Sequence, residues 1–581
     1  ITAPSLKEAQ NLENIKKEIR NRGYNTPLVA DIHFTPNAAE LAARLVEKVR
    51  VNPGNYADKK KFEHIDYTDL GYEAELERIR LRFLPLVKIC KEYGTAMRIG
   101  TNHGSLSDRI LSRYGDTPLG MVESAMEFLR ICREENYHNI VLSMKASNPQ
   151  VMVEAYRMLV QQMQMNDMDY PLHLGVTEAG DGEDGRIKSA AGIGTLLEDG
   201  LGDTIRVSLT EDPEFEIPVA KMLVDRYATR GNHEPIEPLS ENTVLPYSPY
   251  AYSRRITTAV SNIGGTNVPR VIADFSNREE ITAASLFAVG YHYSVPLDKW
   301  NLTDQACDFI YAGDKTVAFE IPGTLGIIYN SESWKKLTAP VRSYPLFCGN
   351  EFFESEKTAA DLNFVAADLH TLTPEFISKL KTCSNVVLLL DTFHAHGMAE
   401  QRRAFIELLL HDCKVPVIIK RNYTGITEEQ LQLFAATDMP ALLLDGFGEG
   451  VWIKQQDISS PAKVNSLGFG ILQATRTRIS KTEYISCPSC GRTLFDLQET
   501  TNNIRKRTEH LKGVKIGIMG CIVNGPGEMA DADYGYVGTG VGKITLYKGK
   551  EVVKRNIPEA DAVEALVELI REHGDWVEVG T

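Results

Sequence analysis

Three cysteines in the last hundred residues have the types and spacing that most directly predict chemistry. Cys487 and Cys490 lie three positions apart in the segment 487–492, Cys-Pro-Ser-Cys-Gly-Arg, and Cys521 follows after a spacer long enough for a helix. Two thiols at that spacing can hold one side of an ion or cluster, and a third can hold the other side. The pattern therefore predicts a metal centre.

The residues that follow Cys521 narrow the choice of metal. Residues 524–527, Asn-Gly-Pro-Gly, predict a tight turn, because glycine supplies a positive φ and proline fixes the bend, and this turn can return Glu528 toward Cys521. Structural zinc normally has a closed set of Cys and His ligands, and no His follows at zinc-ribbon spacing. Three thiols suit a [4Fe-4S] cluster whose fourth ligand is Glu528 or an exogenous group. A three-cysteine zinc module and a redox pair beside an unrelated thiol are the alternatives.

The first 228 residues alternate short β-branched runs with amphipathic helical stretches. Strands are predicted at residues 28–31, 48–51, 96–100, 140–144, 172–176 and 204–208. This alternation indicates parallel βαβ units, and we predict an α/β fold with an N-terminal TIM-type (β/α)8 barrel. Residues 1–4 resemble the end of a strand, so we expect the barrel to be incomplete at its N-terminus. An open doubly wound sheet is the alternative, although no Gly-x-Gly-x-x-Gly follows a strand.

Polar residues recur just after these predicted strands, where barrel enzymes build their active sites. Arginine and lysine suit phosphate because Arg offers a bidentate fork and Lys a point charge. Asp31 and Glu178 are then left to bond hydroxyls or move a proton. Gly192 and Gly194 predict a further phosphate contact at the start of a helix from about residue 195. The cations expected to converge on one mouth are Arg50, Arg98, Lys145 and Arg206.

Composition and length limit the classes of function and the compartments that fit the chain. Its 581 residues carry a net charge of −15, which excludes a nucleic-acid-binding surface over the whole molecule and means that an anionic ligand must be held locally. The apolar runs are too short for a membrane span. The six cysteines outside the two motifs indicate reduced thiols in a cytosolic or organellar compartment, without a disulfide framework.

Changes in composition divide the chain into four predicted parts. A substrate barrel at 1–228 and a proline-rich linker at 229–262 come before an inserted α/β barrel-like domain at 263–460 and an α+β cluster domain at 461–581. In the insert, strands are predicted near 270–275, 364–367, 386–391, 415–420 and 441–445. We interpret the insert as a scaffold, and the pair His394 and His396 as part of a solvated loop.

Four motifs together carry a family resemblance. Residues 487–492 and 520–528, with Val-Arg-Val-Asn-Pro-Gly-Asn at 49–55 and Arg-Ile-Gly-Thr-Asn-His-Gly-Ser at 98–105, closely resemble the 4-hydroxy-3-methylbut-2-enyl diphosphate synthase family. The resemblance covers both the barrel and the cysteine domain. The long middle segment resembles the insert of the three-domain form of this family.

The resemblance implies a specific enzyme chemistry. A [4Fe-4S] cluster is ligated by Cys487, Cys490, Cys521 and, at rest, Glu528, and the substrate is 2-C-methyl-D-erythritol 2,4-cyclodiphosphate. Asp31 and Glu178 lie near the carbon skeleton as catalytic residues, and two electrons arrive from ferredoxin or flavodoxin. The location implied is the bacterial cytoplasm, with the plastid stroma as alternative; no nucleic-acid or membrane partner is expected, and a homodimer is left open. The diphosphate is held by Arg50, Arg98, Asn102, Lys145 and Ser208.

Overall fold

The computed structural model describes residues 1–32, 35–58, 65, 67–228, 230–338, 341–456, 458–490, 492–522 and 525–578. The chain forms two compact units. Unit 1 comprises residues 1–185, 199–220 and 482–581, and unit 2 comprises residues 186–198 and 221–481. The four-part division from the sequence stays a prediction.

The first part of unit 1 is a wall of parallel strands. Four strands form one sheet in chain order, namely β1 (Val29–Asp31), β2 (Lys48–Val51), β3 (Ala96–Asn102) and β4 (Ile140–Lys145). Two short strands, β5 (His173–Leu174) and β6 (Thr204–Ile205), pair in parallel, and bridges from Thr2 to Asp31 and from Leu142 to Leu172 extend the wall at both ends. The predicted series of parallel strands is confirmed.

Helices follow these strands in the barrel pattern. Several begin at an N-cap side chain followed by proline, as at Thr117 and Pro118, because proline lacks the N–H that the first turn leaves unpaired. The helices are α1 (Leu6–Asn21), α2 (Pro36–Ala42), α3 (Pro53–Tyr56), α4 (Asp69–Tyr93), α5 (Asp108–Tyr114), α6 (Pro118–Glu134), α7 (Pro149–Met165), α8 (Gly182–Glu198) and α9 (Glu216–Ala228).

Unit 2 contains a closed barrel of eight parallel strands. The barrel strands are β7 (Arg270–Asp274), β10 (Phe309–Gly313), β11 (Gly326–Asn330), β12 (Ser343–Cys348), β13 (Asn363–Ala367), β14 (Val386–Leu390), β15 (Val417–Tyr423) and β16 (Gly450–Gln455). A hairpin of β8 (Tyr291–Ser294) and β9 (Lys299–Leu302) interrupts the series. Residues 186–198 of α8 and 221–228 of α9 belong to unit 2. Its other helices are α10 (Ser331–Lys335), α11 (Glu351–Glu354), α12 (Pro374–Lys381), α13 (Gly397–Leu410), α14 (Glu428–Leu443) and α15 (Pro461–Ala474). The expected barrel-like insert is thus confirmed as a regular barrel.

One predicted strand of the insert is wrong. Residues 441–445 form the end of α14 and the turn after it, and the next strand, β16, begins only at Gly450. A short apolar run fits a buried helix as well as a buried strand, so periodicity alone cannot separate the two. The capping box of Thr427 and Gln430 at the start of α14 is the local signal for the helix.

The C-terminal part of unit 1 is a five-stranded sheet with helices packed on it, as predicted. Its strands are β17 (Glu483–Ser486), β18 (Lys515–Met519), β19 (Tyr534–Gly540), β20 (Lys543–Lys548) and β21 (Glu551–Pro558). The first three are parallel and the last two antiparallel. Its helices are α16 (Leu497–Thr508), α17 (Gly525–Glu528) and α18 (Glu559–Glu572). Of the helices described in the chain, none is both long enough and apolar enough to cross a membrane.

Candidate active site

A cavity of about 510 Å³ in unit 1 brings the two predicted groups of residues together. Strand ends of the barrel wall form one side, and the cysteine loops of the C-terminal sheet form the other. Ten of the eleven predicted site residues line it, namely Asp31, Arg50, Arg98, Asn102, Lys145, Glu178, Ser208, Cys487, Cys490 and Cys521.

Arg50 is held across the barrel mouth by its neighbours. Its Nη1 donates to Asp31 Oδ1 at 2.8 Å, and its Nη2 donates to the Gly100 carbonyl at 2.8 Å and to Asn102 Oδ1 at 3.2 Å. A Cβ on Gly100 would lie 2.6 Å from Arg50 Nε, so glycine makes room for the guanidinium. Asp31 and Asn102 therefore orient Arg50, a relation that the strand register of β1, β2 and β3 establishes.

Lys145, which is buried, and Arg98, which is half-buried, are cations inside the same wall. Burial lowers the pKa of Lys145 well below its usual value, and the charges of Arg206, Arg98 and Arg50 lower it further. The pKa of Arg98 falls to about 9 for the same two reasons, burial first and the neighbouring Arg50 next. Asp31 opposes both shifts, and the described residues give neither cation an ion-pair partner. Excess positive charge at this mouth favours a multiply charged anion.

Glu178 lies at the junction of the barrel and the cysteine loops. Its side chain is buried, and its backbone has a φ of 49°, which is rare outside glycine. The next residue, Ala179, forms a parallel bridge to Ser486 at the end of β17, one residue before Cys487. Backbone strain of this kind is usually retained only where the surroundings fix it.

The thiol of Cys487 is enclosed by the site. Burial raises its pKa to about 12, and the Glu178 carboxylate adds to the rise, while the Gly520 N–H, which donates to the sulfur at 3.4 Å, opposes it. Cys490 and Cys521 are half-buried at the same cavity. Within the described ranges no group of three or more His, Cys, Asp or Glu side chains is placed to hold a metal ion, so the ligand set stays a prediction.

The structure corrects the turn predicted at residues 524–527. Residues 525–528 form the single helical turn α17, and neither Gly525 nor Gly527 has a positive φ; Asn524 and, in the other motif, Gly491 lie outside the described residues. Glycine is needed at 527 for a different reason, since a Cβ there would lie 1.4 Å from the Gly104 carbonyl oxygen. Glu528 is buried, and its Oε1 would lie 2.5 Å from a Cβ on Gly104.

The predicted phosphate contact at Gly192 and Gly194 is wrong. Both residues lie inside α8, which begins ten residues before Gly192, and a Cβ on Gly194 would meet Thr437 at 2.4 Å. These glycines serve close packing. The first N–H of α8, that of Gly182, donates to Glu211 Oε1 at 2.9 Å, so a carboxylate already occupies that helix end.

Sequence reasoning missed several residues that line the cavity. Lys48 lies two positions before Arg50 on β2, and the period of two in a strand is the signal that could have found it. His173, on β5, lines the cavity as well, and its pKa is lowered by burial and by Lys145 and Arg98. Arg492 and Thr177 also line the cavity.

The fold and the cavity together define a barrel enzyme that binds an anionic substrate beside a cluster of thiols. Comparison with known proteins gives the family. The description "GcpE TIM-barrel domain" matches residues 1–221, and "GcpE protein C-terminal domain" matches residues 483–572. The chain belongs to the GcpE family of 4-hydroxy-3-methylbut-2-en-1-yl diphosphate synthases, as the four sequence motifs had indicated.

Curated relatives extend this similarity over the whole chain. The 4-hydroxy-3-methylbut-2-en-1-yl diphosphate synthase (flavodoxin) of Parabacteroides distasonis is 54% identical over 577 residues, which are 99% of this chain and 90% of the relative. The proteins of the same name from Phocaeicola vulgatus and Leptospira interrogans are 50% and 46% identical. They cover 100% and 99% of this chain, and 90% and 89% of their own lengths.

Proposed function

We propose that the chain reduces 2-C-methyl-D-erythritol 2,4-cyclodiphosphate to 4-hydroxy-3-methylbut-2-enyl diphosphate. Two electrons and the accompanying protons break the ring C–O bond to the diphosphate and release one oxygen as water. Membership in the GcpE family gives the class, an oxidoreductase of isoprenoid-precursor biosynthesis. The observation that carries the proposal is that the buried cations and the three thiols line one cavity.

The cations bind the diphosphate. Arg50, oriented by Asp31, presents its guanidinium to one phosphate, while Arg98 and Lys145 supply charge from the barrel interior. Buried charge acts at short range with little screening, so these contacts are stronger than the same contacts on a surface. Asn102 and Ser208 add neutral hydrogen-bond partners at the rim.

The donor set fits an iron-sulfur cluster. Cys487, Cys490 and Cys521 would hold a [4Fe-4S] cluster at the cavity, and the buried carboxylate of Glu528 would supply the fourth ligand at rest. When bound, the cluster supplies electrons one at a time and an iron whose non-thiolate ligand can be replaced. Thiolates are the ligands of such a cluster, so assembly must remove the proton that burial stabilises on Cys487.

The two carboxylates of the cavity have different roles. Asp31 accepts a hydrogen bond from Arg50 Nη1 and keeps that guanidinium in place. Glu178, buried beside Cys487, holds or transfers a proton at the oxygen that leaves the carbon skeleton.

The electron donor and the compartment follow from the relatives. Their names specify flavodoxin, so we propose flavodoxin as the donor, with ferredoxin as the alternative. These relatives are bacterial, which supports the bacterial cytoplasm rather than a plastid. A homodimer stays a prediction.

Anaerobic purification followed by iron, acid-labile sulfide and zinc analysis tests the proposal. We expect about four irons with equal sulfide per chain, and turnover of the cyclodiphosphate with reduced flavodoxin. Cys521→Ser should lose the cluster and the activity. Cys383→Ser, which alters a half-buried thiol of unit 2, should keep both.

Stoichiometric zinc without sulfide would contradict the proposal. So would a Cys521→Ser protein with full iron content and turnover, because Cys521 would then not be a ligand.

A further inference from the structure

An aspartate outside the cavity joins the barrel to the C-terminal sheet. Asp116 lies between α5 and α6, and its Oδ1 is 3.0 Å from His103 Nε2. Its other oxygen, Oδ2, is 3.3 Å from the ammonium of Lys550. Lys550 lies in the turn between β20 and β21, 434 residues along the chain from Asp116.

His103 begins the turn that touches the site. Residues His103–Ser105 form a 3-10 turn directly after β3, and Gly104 is its central residue. The Gly104 carbonyl is the group that a Cβ on Gly527 would strike, and Gly104 also faces the carboxylate of Glu528. A movement of this turn would therefore displace α17 and Glu528.

We propose that Asp116 is a positioning residue that joins the 103–105 turn to the β20–β21 turn and thereby keeps Glu528 in place beside Gly104. The inference rests on the proposed function, because the position of Glu528 matters for turnover only if its carboxylate is the fourth cluster ligand at rest. Asp116 touches neither substrate nor cluster ligand and acts through His103 and Lys550.

The electrostatics favour contacts of Asp116 that persist over a wide range of pH. The His103 imidazole and the Lys550 ammonium outweigh partial burial and hold the pKa of Asp116 at about 2, so the carboxylate is ionised throughout the working range of the protein. The Lys550 side chain is 61% exposed, so water screens its contact with Asp116. Removing that contact should change a rate by about two- to fivefold, the range expected for one exposed ion pair.

Four variants of the full chain test the inference. Asp116→Asn removes the charge with little change of shape, Lys550→Ala removes the far partner, and Lys550→Arg retains it. Lys554→Ala is the matched control, because Lys554 Nζ lies 3.3 Å from Glu572 Oε1 within the same sheet domain. The measurements are amide hydrogen exchange at Gly104, Gly525, Gly527 and Glu528, kcat and KM with the cyclodiphosphate, and the electron paramagnetic resonance spectrum of the reduced cluster.

We expect faster exchange at both segments in Asp116→Asn and Lys550→Ala, with exchange unchanged in Lys550→Arg and Lys554→Ala. The kcat should fall about two- to fivefold with KM nearly constant, and the spectrum should broaden. Exchange that is unchanged in Lys550→Ala, or equally fast in Lys554→Ala, would overturn the inference. The exchange measurement needs no turnover, so it stands even if the cyclodiphosphate proves not to be the substrate.

Discussion

The parallel strands of the two units enclose different interiors, and their buried charges differ in whether the protein itself supplies a partner of opposite charge. In unit 2 the barrel interior is filled by apolar and aromatic side chains such as Phe309, Phe364 and Trp452. In unit 1 the corresponding interior carries Arg50, Arg98 and Lys145 around a cavity. The same architecture is therefore packed in one unit and left open in the other.

The difference lies in the partners of the charges. In unit 2, Asp438 is fully buried and lies 2.6 Å from Arg226 and 2.9 Å from Arg421. In unit 1, burial and like charges depress the pKa values of Arg98 and Lys145, and the Asp31 carboxylate only partly opposes these shifts. A buried charge without a partner destabilises the fold, so its retention indicates that a ligand supplies the opposite charge. Unit 2 has the organisation of a scaffold and unit 1 that of a binding site.

The largest effect should come from breaking a buried pair of unit 2. Asp438→Asn leaves Arg226 and Arg421 facing a neutral amide, and we expect the free energy of unfolding to fall by about 3 kcal/mol. Chemical denaturation with a probe in unit 2 measures this. Asp412→Asn, which alters an exposed pair 3.6 Å apart, should change stability by less than about 0.5 kcal/mol.

The effect of Asp438 should also depend on pH. Burial alone would raise its pKa, but Arg226 and Arg421 outweigh burial and hold it below the usual value. The contribution of Asp438 to the free energy of unfolding is therefore present above the pKa of an unfolded aspartate, about 4. It is lost as the pH falls through the lower pKa of the folded protein. A stability difference between Asp438→Asn and the parent that grows on acidification would contradict this assignment.

Two lysines, one on a strand of each unit, give the next comparison. Lys145→Ala should weaken cyclodiphosphate binding by about 10- to 100-fold, the loss expected for one charge-assisted hydrogen bond, without lowering stability. Lys420→Ala, in the middle of β15 in unit 2, breaks an ion pair with Asp391. It should lower stability by about 1–3 kcal/mol and leave KM unchanged. Calorimetric binding and thermal unfolding of both variants separate the two roles.

Equal effects of the two lysine variants would remove the contrast between the barrels. If Lys145→Ala bound substrate as the parent does, Lys145 would not belong to the phosphate site. If Lys420→Ala raised KM instead, unit 2 would take part in substrate binding.

Regular patterns in the sequence predicted the parallel strands, and the motif residues predicted the site. What could not be predicted depends on contacts between distant segments. The use of Gly527 rests on the carbonyl of Gly104, more than 400 residues away, and Gly194 is set by Thr437. The strand predicted at 441–445 failed because its apolar run, four residues long, has no period of its own.

The smallest expected effect is the uptake of part of a proton when substrate binds. It tests whether the bound diphosphate stabilises the charged form of Lys145. Burial and the neighbouring arginines lower its pKa in the free protein, so part of the population is neutral at alkaline pH. A bound diphosphate favours the charged form and raises that pKa again. Binding should therefore take up a fraction of one proton per substrate above neutral pH, and affinity should fall as the pH rises.

Titration calorimetry at pH 8.5 in two buffers of different ionisation enthalpy measures that uptake. Lys145→Arg is the matched variant, because a guanidinium is harder to deprotonate, and its smaller uptake separates the lysine from ionisation of the substrate itself. In the free protein the unfolded chain holds a proton that folded Lys145 tends to lose, so the free energy of unfolding should rise with pH up to the usual lysine pKa. Bound substrate should remove this pH dependence of the free energy of unfolding. Identical proton uptake in the parent and in Lys145→Arg would contradict the prediction, because the titrating group would then lie elsewhere in the cavity.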